Sequence, residues 1–148
     1  MPEPAALPGY AELHAISAFS FGRGASLPQE LVQRAVELGY AGLALTDECS
    51  VAGVVRAWAR LRELREEGRV PEGFALLYGS EFALPGGRLI AIARHLQGWG
   101  GLCRFITAAR TGGAAKGSYQ IDWQHGSFSL LAGCEILWVP EPPTNSAI

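Results

Sequence analysis

The chain has 148 residues, of which 49% are hydrophobic and 18% are charged, and its formal net charge is -2. This composition excludes an intrinsically disordered chain, and the small negative charge argues against a dedicated nucleic-acid surface. No apolar run reaches the roughly 18 to 20 residues that a membrane-spanning helix needs. Three widely spaced cysteines predict a reduced, cytoplasmic protein, and the length fits one domain.

The first half of the chain predicts strands that alternate with helices. A strand over 10–14 is followed by a helix over 28–38, for which Ser26 is the expected N-cap. The nearly continuous apolar run 41–46 predicts a strand covered on both faces, and a second helix is predicted over 51–67. The buried face of that second helix is predicted to consist of Val51, Val54, Val55, Trp58 and Leu61.

The second half predicts a hairpin, a helix and a last strand. A strand over 75–78 continues as an extended segment over 81–84, and Pro85-Gly86-Gly87 turns it back into 88–93. The later elements are a helix over 101–110, a flexible loop over 111–115, a short helix near 128–131 and a buried strand over 136–139.

The order of these elements predicts parallel strands joined by crossover helices, and therefore an α/β fold. The folded domain is predicted over 10–139. A flexible N-terminus is expected at 1–9, and a frayed, proline-rich tail at 140–148.

Six segments occur in the order in which one known family has them: 10–14, 20–26, 39–41, 45–54, 79–82 and 98–107. Together they resemble the polymerase-and-histidinol-phosphatase (PHP) domain at the N-terminus of the C-family, error-prone bacterial DNA polymerases. In metal-binding members the first strand ends in His-x-His, which here reads His14 and Ile16. A second motif, Thr-Asp-His-Gly, here reads Thr46-Asp47-Glu48-Cys49.

The resemblance implies a partial PHP-type distorted (β/α) barrel, of which this chain holds the N-terminal half only. It also implies a parent enzyme that adds deoxynucleotides to a primer in damage-induced, mutagenic repair, with its catalytic carboxylates in a palm domain far downstream. The chain itself is then structural and non-catalytic. Its expected partners are the rest of the polymerase chain and other mutagenesis or replication proteins. The chain is expected to contact DNA only through the parent enzyme, and no membrane is expected as a partner.

The resemblance also identifies His14, Asp47, Glu48 and Glu81 as degenerate remnants of a metal site. Ile16 cannot coordinate an ion, and Glu48 offers an oxygen where the family has a histidine nitrogen, which favours Mg²⁺ or Mn²⁺ over Zn²⁺. We therefore expect no cofactor, or at most a single weakly bound Mn²⁺, Mg²⁺ or Zn²⁺.

Each of these four residues also has a structural interpretation. His14 is typical of a hydrogen-bonded histidine at a strand end, and Asp47 of an acceptor for loop N–H groups. Glu48 favours a helix start, and Glu81 also fits a surface position in the hairpin. No catalytic residue is predicted, because Cys49 has no histidine near it in sequence to activate its thiol.

Three further interpretations remain open. The chain could be a stand-alone, metal-dependent phosphoesterase of the PHP family, whose activity would require His14 and Asp47. It could be an interaction module in which another chain covers an open barrel edge. It could also be the product of a truncated gene. The two remaining histidines, His95 and His125, are predicted to lie at the surface.

Overall fold

The structure is a computed structural model that describes residues 9–124 and 126–143. Most of the predicted flexible N-terminus, His125 and the end of the predicted tail, 144–148, lie outside the described residues. The elements are β1 (Ala11–Ala15), α1 (Pro28–Glu37), β2 (Gly42–Leu45), α2 (Val54–Glu66), β3 (Ala75–Leu84), β4 (Gly87–Ala93), α3 (Leu96–Thr111), a 3₁₀ helix (Phe128–Leu131) and β5 (Cys134–Pro140).

Within the described residues these strands form one five-stranded sheet in the order β1-β2-β3-β4-β5. The β1–β2 and β2–β3 pairs are parallel, whereas β3–β4 and β4–β5 are antiparallel. All four residues of β2 are buried, as its apolar run predicts. The α/β class and the partial (β/α) barrel that the family resemblance implies are confirmed.

The N-cap of α1 is Leu27, and the prediction that Ser26 caps this helix is wrong. Pro28 occupies the first helical position, where its fixed φ and missing N–H suit a helix start. The residue directly before it therefore becomes the cap. The Glu30 carboxylate accepts a hydrogen bond of 2.7 Å from the Leu27 backbone N–H, which satisfies one of the free donors of the first turn.

The buried face of α2 is formed by Ala57, Leu61 and Leu64. Of the predicted face, Leu61 is confirmed, but Val55 is 71% exposed and Trp58 is 48% exposed. The sequence offers two apolar stripes at helical spacing, rotated from each other around the helix axis. The stripe with the small Ala57 lies against α1 and β2 in one hydrophobic core. The larger side chains of the other stripe are left nearer the solvent.

The helix α3 begins at Leu96, five residues before the predicted start at 101. His95 is exposed, as predicted, and caps this helix, because its Nδ1 accepts a hydrogen bond of 3.1 Å from the Gly98 N–H. The glycines of the first turn also allow a close approach of neighbouring backbone. A Cβ at Gly98 would lie 2.0 Å from the Gly133 carbonyl oxygen. The helix therefore includes the glycine-containing segment that precedes residue 101.

The strand β5 is an edge strand among the described residues, and the prediction of a buried strand is wrong. It pairs with β4 alone, and Ile136, Trp138 and Val139 are each more than 40% exposed. Pro140 is the last residue of β5, and the predicted domain limits stay a prediction. No helix among the described residues is long and apolar enough to cross a membrane.

The helices pack on one face of the sheet. Leu43 and Leu45 lie in a core with α1 and α2, and Phe82 and Leu89 lie in a second core with α3. Side chains alternate between the two faces along a strand, so the opposite face carries a separate small cluster built around Ile90. The carboxylate of Glu81 lies on this opposite face, because Glu81 pairs directly with Ile90.

Candidate functional site

Five side chains from different segments converge where β1 and β2 end beside the middle of β3. They are His14 from β1, Arg23 from the loop after β1, Glu48 from the segment after β2, Glu81 from β3 and Arg88 from β4, and we call them the ion-pair cluster. The backbone fixes the two acids side by side, since Glu48 and Glu81 form an isolated parallel bridge.

Glu81 lies at the centre of the cluster, and its side chain is fully buried. Its Oε2 lies 2.6 Å from the His14 Nε2, and its Oε1 accepts a hydrogen bond of 2.7 Å from the Arg88 guanidinium. The Arg23 guanidinium donates to the same Oε1. A buried carboxylate is tolerated only with close charged partners, and Glu81 has two. The alternative interpretation of Glu81 as a surface residue of the hairpin is therefore wrong.

Glu48 is the second acid of the cluster, and its side chain is 26% exposed. Its Oε2 accepts from Arg23 at 3.0 Å, and its Oε1 accepts from the Tyr119 hydroxyl at 2.7 Å. Arg88 forms an ion pair with it at 3.7 Å. Burial alone would raise the pKa of Glu48, but the hydrogen bonds from Tyr119 and Arg23 and the two arginine charges outweigh it and leave this pKa below its ordinary value.

His14 is part-buried and takes part as a neutral ring at neutral pH. Burial, followed by the nearby charge of Arg23, lowers the pKa of His14 below its ordinary value. The neutral ring therefore donates its Nε2–H to Glu81. This arrangement matches the hydrogen-bonded structural histidine that is one interpretation of His14 from the sequence.

Asp47 is engaged elsewhere and is 1% exposed. Its Oδ1 accepts from the Ser17 N–H at 2.8 Å and from the Ser20 hydroxyl at 2.7 Å, and its Oδ2 accepts from the Ser17 hydroxyl at 2.8 Å. Asp47 thus fastens the loop after β1 to the end of β2, as its structural interpretation predicts. Of the four predicted ligands, the structure brings His14, Glu48 and Glu81 together and binds Asp47 to the serines.

The predicted ligands do not fit a divalent ion in this arrangement. All four oxygens of Glu48 and Glu81 accept hydrogen bonds from protein donors, three of them from guanidinium or imidazole groups. An approaching cation would meet the positive charges of Arg23 and Arg88 before it met a free lone pair. Among the described residues, no group of three or more His, Cys, Asp and Glu side chains is placed to hold a metal ion.

The sequence-based reasoning missed the two arginines. A signal for Arg88 exists, because the two-residue turn between Leu84 and Gly87 fixes the hairpin register and places Glu81 opposite Ile90. Arg88 is then the diagonal neighbour of Glu81 on the same face, within reach of a long side chain. Arg23 leaves no comparable signal, since it lies in an irregular loop.

Cys49 lies beside the cluster but does not have the properties of a nucleophile. Its side chain is fully buried, and burial raises the pKa of its thiol to about 11, so it stays protonated at neutral pH. Its backbone has a φ of 44°, and its carbonyl oxygen accepts two hydrogen bonds from Arg110, at 3.0 and 2.8 Å.

The PHP domain family model matches residues 12–138, a range that contains every residue of the ion-pair cluster. The chain belongs to the PHP domain family. This PHP domain is similar to proteins named error-prone DNA polymerase, with 47% identity over 132 residues in Hahella chejuensis, 52% over 152 residues in Bordetella bronchiseptica and 42% over 163 residues in Azoarcus sp.. The alignments cover 89%, 93% and 95% of this chain but only 13%, 14% and 15% of those relatives.

Two solved structures share the fold of this PHP domain. One is a candidate metal-dependent phosphoesterase from Bifidobacterium adolescentis, with a TM-score of 0.52 and 23% identity over 72% of this chain and 34% of that one. The other is an amidohydrolase from Chromobacterium violaceum, with a TM-score of 0.51 and 25% identity over 69% of this chain and 34% of that one.

Proposed function

We propose that this PHP domain is a non-catalytic, structural part of an error-prone C-family DNA polymerase. The enzyme that would contain it is a nucleotidyltransferase that extends a primer during translesion synthesis and DNA repair in the cytoplasm. The domain's partners are then the rest of that polymerase and its replication or mutagenesis proteins. Three free cysteines support the reducing location.

One observation carries the non-catalytic part of this proposal. Both oxygens of the buried Glu81 carboxylate accept hydrogen bonds from protein donors, namely His14, Arg23 and Arg88, so both are engaged within the protein. Metal-assisted phosphoester hydrolysis needs an ion that activates water and stabilises charge on the phosphate, and this arrangement does not fit such an ion.

The polymerase part of the proposal rests on the relatives. Proteins named error-prone DNA polymerase align with about nine-tenths of this chain at 42–52% identity, while the chain spans 12–15% of their length. A domain of this size attached to a much longer enzyme can serve it by supporting the fold of the neighbouring parts.

A hydrolysis assay tests the non-catalytic function. The purified chain is incubated with bis(p-nitrophenyl) phosphate, and separately with DNA that has a blocked 3′ end, in the presence of Mn²⁺ or Zn²⁺. We expect no turnover above that of the Glu81→Gln variant. Metal-dependent turnover that is lost in His14→Ala but kept in Glu63→Ala, an exposed control on α2, would contradict this proposal. That result would instead support the stand-alone phosphoesterase.

A chimera tests the link to a polymerase. The aligned segment of the Hahella chejuensis relative is replaced by this chain, and primer extension is compared with that of the intact relative and of a version without the segment. We expect the chimera to extend primers and the shortened version to lose solubility or activity. A shortened version as active as the intact relative would contradict a structural role.

A further inference from the structure

We propose that the guanidinium groups of Arg23 and Arg88 are built-in counter-ions that take over, between Glu48 and Glu81, the charge-neutralising role of divalent metal ions. The ion-pair cluster then makes the fold of this domain independent of metal. This inference rests on the proposed non-catalytic function of the same site.

The placement of the two arginines between the two acids is the first observation that supports this inference. Arg23 contacts both Glu48, at 3.0 Å, and Glu81, and Arg88 contacts Glu81 at 2.7 Å and Glu48 at 3.7 Å. Each cation therefore bridges both acids, as a metal ion shared by two carboxylates does. Arg23 is 25 positions from Glu48 and 58 from Glu81, so its bridges join parts of the chain that are distant in sequence, whereas Arg88 and Glu81 lie in one hairpin.

The charge balance of the ion-pair cluster is the second observation that supports this inference. Two carboxylates and two guanidiniums sum to zero, and the neutral ring of His14 leaves this balance unchanged. Without the arginines, the buried Glu81 and the neighbouring Glu48 would repel each other in a poorly hydrated place. Arginine suits such a position, because its planar guanidinium stays charged and donates several hydrogen bonds at once.

The exposed fractions of the side chains show how the arginines shield Glu81 from ions in solution. The side chains of Arg23 and Arg88 are 30% and 35% exposed, so their guanidiniums lie between the solvent and Glu81, which has no exposed surface. An ion from solution would have to displace both side chains to reach Glu81. Removal of the arginines should therefore uncover a pair of carboxylates that attracts a divalent ion.

Metal titration of the 148-residue chain tests this inference. Melting temperature is measured by circular dichroism in EDTA and in MnCl₂, and bound Mn²⁺ is measured by electron paramagnetic resonance. For the wild type we expect the same Tm in both media and no tightly bound Mn²⁺. For Arg23→Gln combined with Arg88→Gln we expect a Tm loss of about 5–10 °C in EDTA, part of which Mn²⁺ restores.

Arg62→Gln is the matched control, because Arg62 forms an exposed pair with Glu66 at 3.2 Å. Its Tm should change by no more than about 1 °C, with no response to Mn²⁺. Tight Mn²⁺ binding by the wild type would overturn the inference. A double variant whose Tm is unchanged in EDTA, or does not rise in Mn²⁺, would overturn it as well.

A second comparison applies if the double variant does not fold. Arg88→Gln alone keeps Arg23, so Glu81 retains one of its two guanidinium partners. We expect Glu81→Gln to restore part of the Tm that this single variant loses, because the buried charge that lacks its second counter-ion is then gone. No restoration would overturn the inference. The two proposals fail separately: phosphoester hydrolysis by the wild type contradicts the non-catalytic function, whereas an inactive wild type with metal-insensitive arginine variants contradicts the counter-ion role alone.

Discussion

Replacement of Asp47 by alanine should strongly destabilise this domain. The Asp47 carboxylate accepts three hydrogen bonds from Ser17 and Ser20, all within 2.8 Å, and it is 1% exposed. A hydrogen bond to a charged group contributes about 1.5–3 kcal/mol, and a buried donor that loses its partner costs about 1–3 kcal/mol. Because the three bonds share one carboxylate, they are not additive. We expect the free energy of unfolding to fall by about 3–5 kcal/mol.

Urea unfolding followed by circular dichroism measures this loss. Asp47→Asn keeps the shape and one acceptor oxygen, so its loss should be about half as large. Glu66→Ala removes an exposed helix pair and should change stability by less than about 0.5 kcal/mol. If Asp47→Ala loses less than about 1 kcal/mol, or if its loss disappears in EDTA, then Asp47 does not act as the structural acceptor described above.

Three further results are expected. The Gly98→Val variant should fail to fold or should aggregate, because even a Cβ would lie 2.0 Å from the Gly133 carbonyl oxygen. Size-exclusion chromatography measures this, and elution like the wild type would contradict the close packing at Gly98. Val55→Lys should change urea stability by less than about 0.5 kcal/mol because Val55 is 71% exposed, whereas a buried Val55 would make the loss several-fold larger. A thiol reagent at pH 8 should modify the part-buried Cys103 first and the buried Cys49, whose pKa is about 11, only after denaturation; mass spectrometry of the labelled peptides checks the order.

The sequence predicts the fold best where a local pattern is compatible with a single structure. The apolar run of β2 suits only a strand covered on both faces, and the Pro85-Gly86 turn suits only a tight hairpin. The buried face of α2 is different, because two apolar stripes compete there. The choice of Ala57 over Val55 depends on how closely α1 approaches, which the sequence of α2 does not contain.

The candidate site could be predicted in part. His14, Glu48 and Glu81 lie together where β1 and β2 end, as the resemblance to the PHP family implies. What surrounds them could not be predicted, because Arg23 reaches Glu48 and Glu81 from a loop whose path depends on the Asp47 hydrogen bonds. Local patterns describe neighbours along the chain, whereas the contacts of Arg23 join residues up to 58 positions apart.

The alternation of Glu81 and Phe82 along β3 also bears on how the hairpin finds its pairing. Glu81 faces the arginines, and Phe82 is fully buried in the core with α3. A slip of the β3–β4 pairing by one residue would direct the Glu81 carboxylate towards the hydrocarbon core. It would also direct the Phe82 ring towards the charged side chains. Both errors are costly, so the shifted hairpin cannot compete with the native one. Glu81 and Phe82 together thus favour a single alignment of the β3–β4 hairpin.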